Sequence, residues 1–147
     1  MNANAKILRI GIASREEMKA RTVAIARGEL RPGPTDPKVW FTSLESLAQV
    51  LSSKNKLLLE LIRRARPASL KELAELSGRE ESNLSRTLHT MARYRLVTLQ
   101  RSERGTIVPS VPYDRVLCDF ELNANRAQAA IPISFQARQN ELRRQNA

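Results

Sequence analysis

Along residues 70–110 the spacing of apolar side chains changes abruptly, and that change limits the fold more than any single motif. Leu70, Leu73, Ala74 and Leu76 recur at helical intervals until Ser77-Gly78 interrupts them. Glycine is the usual residue just past a helix end, because it takes the left-handed conformation without steric penalty. Leu84, Leu88 and Met91 form a second stripe, which predicts a longer helix from about Glu80 to Tyr94. The period then drops to two: LVTLQR and TIVPS flank SERG, the pattern of strand, tight turn and strand. SLKE, residues 69–72, has capping-box spacing and opens the first of these helices. Two helices joined by a glycine turn and followed by a hairpin are the frame to which the other segments attach.

Upstream, SLESLAQVL sets Leu44, Leu47, Ala48 and Leu51 at helical spacing, and Ser52-Ser53 breaks it. A further helix over about 54–66 turns Leu58, Leu61, Ile62 and Ala65 inward and ends at Pro67. Arg63, Arg64 and Arg66 fall at its C-terminus, where cations suit the helix dipole, and read as a solvated helix end. AKILRIGIAS alternates, with Leu8, Ile10 and Ile12 on one face, and predicts a strand. Ser14 and Glu17 have capping-box spacing for a helix to about Gly28, with Met18, Thr22 and Ile25 as its stripe. RPGPTDP, residues 31–37, reads as a linker, and KVWFTS as a short strand. After the hairpin, RVLCDFEL aligns Val116, Cys118, Phe120 and Leu122 on one strand face, so Cys118 is expected to be a small core residue. The expected organisation is a strand–helix module with linker at 1–34, a domain at 38–122, and a polar tail at 123–147 that is mobile or ordered by a partner. The fold class is mainly α with a small β component.

Aromatic residues make up 4% of the chain, so its core must be built from Leu, Ile, Val and Ala, which favours helices over a sandwich or barrel. The charge is more informative: 25 Lys and Arg against 15 Asp and Glu, with a pI near 10.8. A pI above about 9 is the electrostatic footprint of nucleic-acid binders, although other binders of anionic surfaces share it. The excess is spread along the chain. Residues 69–109 hold seven basic and five acidic side chains, whereas Lys54 to Arg66 holds five against one.

At this point the residues carry a family resemblance. LAELSGREESNLSRTLHTMARYRLVTLQRSERG resembles the core of MarR-type and related winged helix-turn-helix regulators. The matching features are Leu73-Ala74, Ser77-Gly78, Ser85-Arg86-Thr87-Leu88 and Leu96-Val97, all in register over about residues 44–110. Tyr94-Arg95 departs from the pattern, since many relatives have a glycine before Leu96, and the departure should change the exit from the helix. More loosely, the arrangement is similar to winged-helix antitoxins of toxin–antitoxin pairs, including partners of TumE-type toxins. The features concerned are the basic strand–helix start, KVWFTSLESL and VPYDRVL. The resemblance implies a helix over about 80–94 in the major groove and a wing over about 97–109 on the backbone or minor groove.

With Leu84, Leu88 and Met91 facing inward, Ser82, Asn83, Arg86, Thr87 and Thr90 lie on the outer face of that helix. Asn suits adenine, Arg suits guanine, and Ser or Thr serves either a base or a phosphate. Arg101 and Arg104 bracket the wing turn, and Ser69 and Lys71 start the preceding helix, where anions are favoured. Glu80 and Glu81 stand where a reading helix would meet a polyanion. As residues of the first turn they suit the helix dipole. They can lie near DNA if they point sideways or pair, with Arg79 or with a cytosine amino group as the available partners.

His89 is the single histidine and Cys118 the single cysteine, with no clustered carboxylates and no phosphate-cradling glycine pattern. The expectation is a DNA-binding repressor rather than an enzyme, with no metal or cofactor. It would act as a homodimer and could double as an antitoxin that binds a cognate toxin protein. An RNA- or ribosome-binding winged helix is the alternative, disfavoured by the scarcity of base-stacking aromatics. No run of about 18 apolar residues is present and MNANAKILRIGIASREE lacks a secretory signal pattern, so a cytoplasmic protein with no membrane association is expected.

Overall fold

The computed structural model describes residues 5–122 and 143–145, so most of the tail expected over 123–147 lies outside the described residues. It is a mixed α/β chain of small sheets and short helices. Compact packing divides it into two units, Met1–Leu8 with Leu44–Leu117, and Arg9–Ser43 with Cys118–Ala147. Strand β1 (Ile7–Ile12) and strand β5 (Arg115–Asp119) each contribute residues to both. With β2 (Val39–Phe41) they form a sheet in the order β2-β1-β5.

In the unit containing Arg9–Ser43, β1 and β2 run parallel, with Ile10 opposite Val39 and Ile12 opposite Phe41. Parallel neighbours need a crossover, and helix α1 (Arg15–Ala26) supplies it. Its capping box is complete: Ser14 Oγ accepts the Glu17 N–H, and the Ser14 N–H returns to the Glu17 carboxylate. The buried side of α1 differs from the expected stripe. Ala24 is fully buried, with Ala20 and Arg21 half-buried, whereas Thr22 and Ile25 are exposed. A weakly amphipathic helix leaves its rotation to its neighbours, and here a small residue allows close approach. Trp40 covers Gly11, where an added Cβ would lie 2.4 Å from the indole. The proline-rich segment 31–37 is a pinned turn. The Asp36 carboxylate accepts the Gly33 N–H at 2.8 Å and the Arg21 guanidinium at 3.1 Å, and Arg21 also lies 5.2 Å from the Trp40 ring.

The other unit strings together α2 (Leu44–Val50), α3 (Ser53–Ala65), α4 (Leu70–Ser77), α5 (Glu81–Arg93), β3 (Thr98–Arg101) and β4 (Ile107–Ser110). Ser52 and Ser69 cap α3 and α4 by accepting the N–H groups of Asn55 and Glu72. SLKE makes half of the expected box: the Glu72 carboxylate accepts from Ala68, one residue ahead of the cap. In α3 the buried residues are Leu58, Leu59 and Ile62, while Ala65 is exposed, so the inward stripe is turned by about one residue. Leu73, Leu84, Leu88 and Met91 are completely buried, joined by Leu96 and Val97 at 2% exposure. Burying each such leucine favours the fold by roughly 1.5–3 kcal/mol.

Gly78 ends α4 at φ 71°. The end of α5 corrects one expectation. Arg95 adopts φ 62°, the conformation a glycine would take, and Leu96 N–H donates to Met91 O at 3.0 Å. The exit is therefore glycine-like, reached by an arginine that carries the strain. Strands β3 and β4 pair antiparallel, with Leu99 opposite Pro109. Ser102 N–H donates to Thr106 O across the turn, and Gly105 has φ 78°.

Two other expectations change. Arg63 is tied to Asp114, whose other oxygen accepts the Lys6 backbone N–H, so this arginine is more than a solvated helix end. Cys118 is exposed, and so are Val116, Phe120 and Leu122. Alternation identifies residues that share a strand face, but it does not say whether that face is covered. Among the described residues no helix is long and apolar enough to cross a membrane.

Candidate nucleic-acid interface

Helix α5 starts without a side-chain cap. Glu80 is at the N-cap with φ −68° and ψ 136°, yet its side chain accepts no N–H from the first turn of the helix. Its carboxylate instead receives the Asn83 side-chain amide at 3.4 Å, a long contact. Glu81 is the first helical residue, where its charge suits the dipole by roughly 0.3–1 kcal/mol. Arg79 pairs with neither glutamate. Its guanidinium donates to Asn55 Oδ1 at 3.2 Å and Lys54 O at 2.7 Å, holding the α4–α5 turn against the start of α3.

With Leu84, Leu88 and Met91 at zero exposure, helical geometry fixes what faces out. Ser82, Arg86, His89 and Arg93 follow one another at i, i+4, i+7 and i+11, and all four are exposed. Among the described residues, neither the Ser82 hydroxyl nor the Arg86 guanidinium has a protein partner. Asn83 is exposed but engaged with Glu80. Thr87 and Thr90 are half-buried on the flank. The Thr90 hydroxyl donates to Arg86 O at 3.1 Å and accepts from Arg93 at 3.4 Å, so it is committed within the helix. The DNA-facing residues expected from the sequence do not include Arg93 or His89, although helical spacing from Ser82 points to both.

On α4, Ser69 is the half-buried N-cap and Lys71 is exposed in the first turn. The Ser69 oxygen accepts from Glu72, which leaves its hydroxyl proton available to an anion. Arg101 ends β3 and Arg104 lies in the hairpin turn, both exposed. The unit thus presents an outward cationic and hydroxyl-bearing stripe on α5, a helix N-terminus on α4, and a hairpin with arginine at its tip. Among the described residues no group of three or more His, Cys, Asp or Glu could hold a metal ion.

A family model described as HVO_A0114 matches residues 50–118, from the end of α2 through most of β5. No curated protein and no solved structure matches the chain.

Proposed function

We propose that the chain is a sequence-specific regulator that binds duplex DNA through a winged helix-turn-helix. Helices α4 and α5 form the helix-turn-helix and the β3–β4 hairpin is the wing. One observation carries this reading: α5 is anchored by three fully buried side chains while the opposite stripe holds Arg86, whose guanidinium has no protein partner among the described residues. A helix held in this way can lie in the major groove and offer Ser82 and Arg86 to base edges. Ser69, Lys71, Arg101 and Arg104 are suited to phosphates, which set position and account for much of the affinity. The resemblance to MarR-type regulators agrees with this arrangement. Two-fold binding by a homodimer suits it too, because helix-turn-helix proteins usually read paired half-sites.

The test is direct competition between duplex DNA selected from a random pool and structured RNA. Duplex should win, and affinity should fall by orders of magnitude between about 50 and 200 mM salt as counterions are released. Preference for the RNA would overturn the reading.

A second reading adds a protein partner, a cognate toxin, to the same DNA-binding chain. The exposed Val116, Phe120 and Leu122 favour it, with Leu122 at 94% exposure. Co-purification with the product of a neighbouring gene in high salt tests it, and loss of that product on salt washing would count against it.

A further inference from the structure

On the outward stripe of α5, one side chain has its hydrogen-bonding sense set by the protein. His89 Nδ1 lies 2.7 Å from Ser85 O, one turn back along the helix. A carbonyl oxygen only accepts, so Nδ1 carries the proton. In the neutral ring Nε2 then holds a lone pair and no hydrogen. Its neighbours on the stripe, Arg86 and Arg93, are donors without acceptor capacity, and the Ser82 hydroxyl can do either. In its neutral form His89 therefore offers an acceptor in a row that otherwise favours guanine and phosphate. It is exposed, three residues beyond Arg86 and four before Arg93.

In the major groove, guanine O6 and N7 and thymine O4 accept, whereas adenine N6 and cytosine N4 donate. We infer that His89, as the Nδ1–H tautomer, is a specificity-determining residue that reads an exocyclic amino group in duplex DNA bound by α5. The inference rests on the DNA-binding reading above. The Ser85 bond is what gives the ring this sense. Without it, either tautomer would be available and the position would tolerate any base edge.

The experiment selects duplexes from a randomised pool with the full chain at about pH 8.5, where imidazoles are ordinarily neutral. Wild type is compared with His89→Lys, which only donates, and His89→Gln, which retains an acceptor; both are good helix formers at an exposed site. Wild type should enrich adenine or cytosine at one position, and the base enriched tells which amino group is read. His89→Lys should move that position toward guanine or thymine, changing relative affinity about 5- to 150-fold, with the other positions unchanged. His89→Gln should keep the original preference. Identical base preferences in wild type and His89→Lys would overturn the inference while leaving DNA binding intact. A wild-type protein that enriches no duplex would overturn both.

Discussion

In the unit containing Leu44–Leu117, order comes from leucines repeated at helical spacing, whereas the unit containing Arg9–Ser43 rests on one crowded corner. The first buries Leu73, Leu84, Leu88 and Met91 completely, and its helices α3 and α4 are each capped by a serine and closed by a left-handed residue. The second sets Trp40 over Gly11, Arg21 beside the Trp40 ring, and Asp36 between Arg21 and Gly33. Substitutions should therefore be graded by volume removed in the helical unit, and by atoms added or charges lost in the strand–helix unit.

The largest effect is expected at Leu84, whose side chain is fully buried. Leu84→Ala should cost about 2–5 kcal/mol, read as a lowered urea midpoint with loss of amide protection along α5. Gly11→Ala tests the opposite rule. A Cβ at 2.4 Å from the indole forces Trp40 to move, and a loss of about 1–3 kcal/mol is expected. The fluorescence of Trp40, the single tryptophan, reports this displacement. If Gly11→Ala left emission and stability unchanged, the contrast between the two units would be lost.

Acid provides the next test. The Gly33 N–H and then the Arg21 guanidinium hold the Asp36 carboxyl below its ordinary range, outweighing partial desolvation. A depressed folded-state pKa stabilises the fold above the unfolded value and ceases to do so as pH falls through the folded value. Stability should thus decline below about pH 4, and Asp36→Asn should flatten that decline. An unchanged acid limb in Asp36→Asn would remove Asp36 from the account. The smallest effect is expected at Arg95. A left-handed conformation costs an L-residue about 1–2 kcal/mol, part of which glycine returns through its freer unfolded chain. Arg95→Gly should raise stability by about 0.5–1 kcal/mol in thermal melts, and a loss of stability would show that the arginine side chain has its own role there.

The same contrast explains what could be read from the chain before its structure. In α4, α5 and the hairpin, one apolar period specifies one buried face, so Leu84, Leu88, Met91 and the Ser77-Gly78 stop were legible. So were Ser82 and Arg86, since the face opposite a clear stripe is exposed by default. The partners of Arg79, Asn55 and the Lys54 carbonyl, are not legible locally because they are remote in sequence. The rotation of α1 and the pinning of 31–37 by Asp36 depend on tertiary contacts that no local period encodes. Cys118 was misplaced because alternation carries no information about a covering layer.

The most direct measurement is the affinity of Arg86→Ala and wild type for a selected duplex and for a scrambled duplex of equal length. If α5 reads bases through Arg86, the substitution should cost about 1–3 kcal/mol on the selected duplex, a 5- to 150-fold loss, and much less on the scrambled one. Equal losses on both would make Arg86 a phosphate contact, and no loss on either would contradict the assignment of α5 as the reading helix.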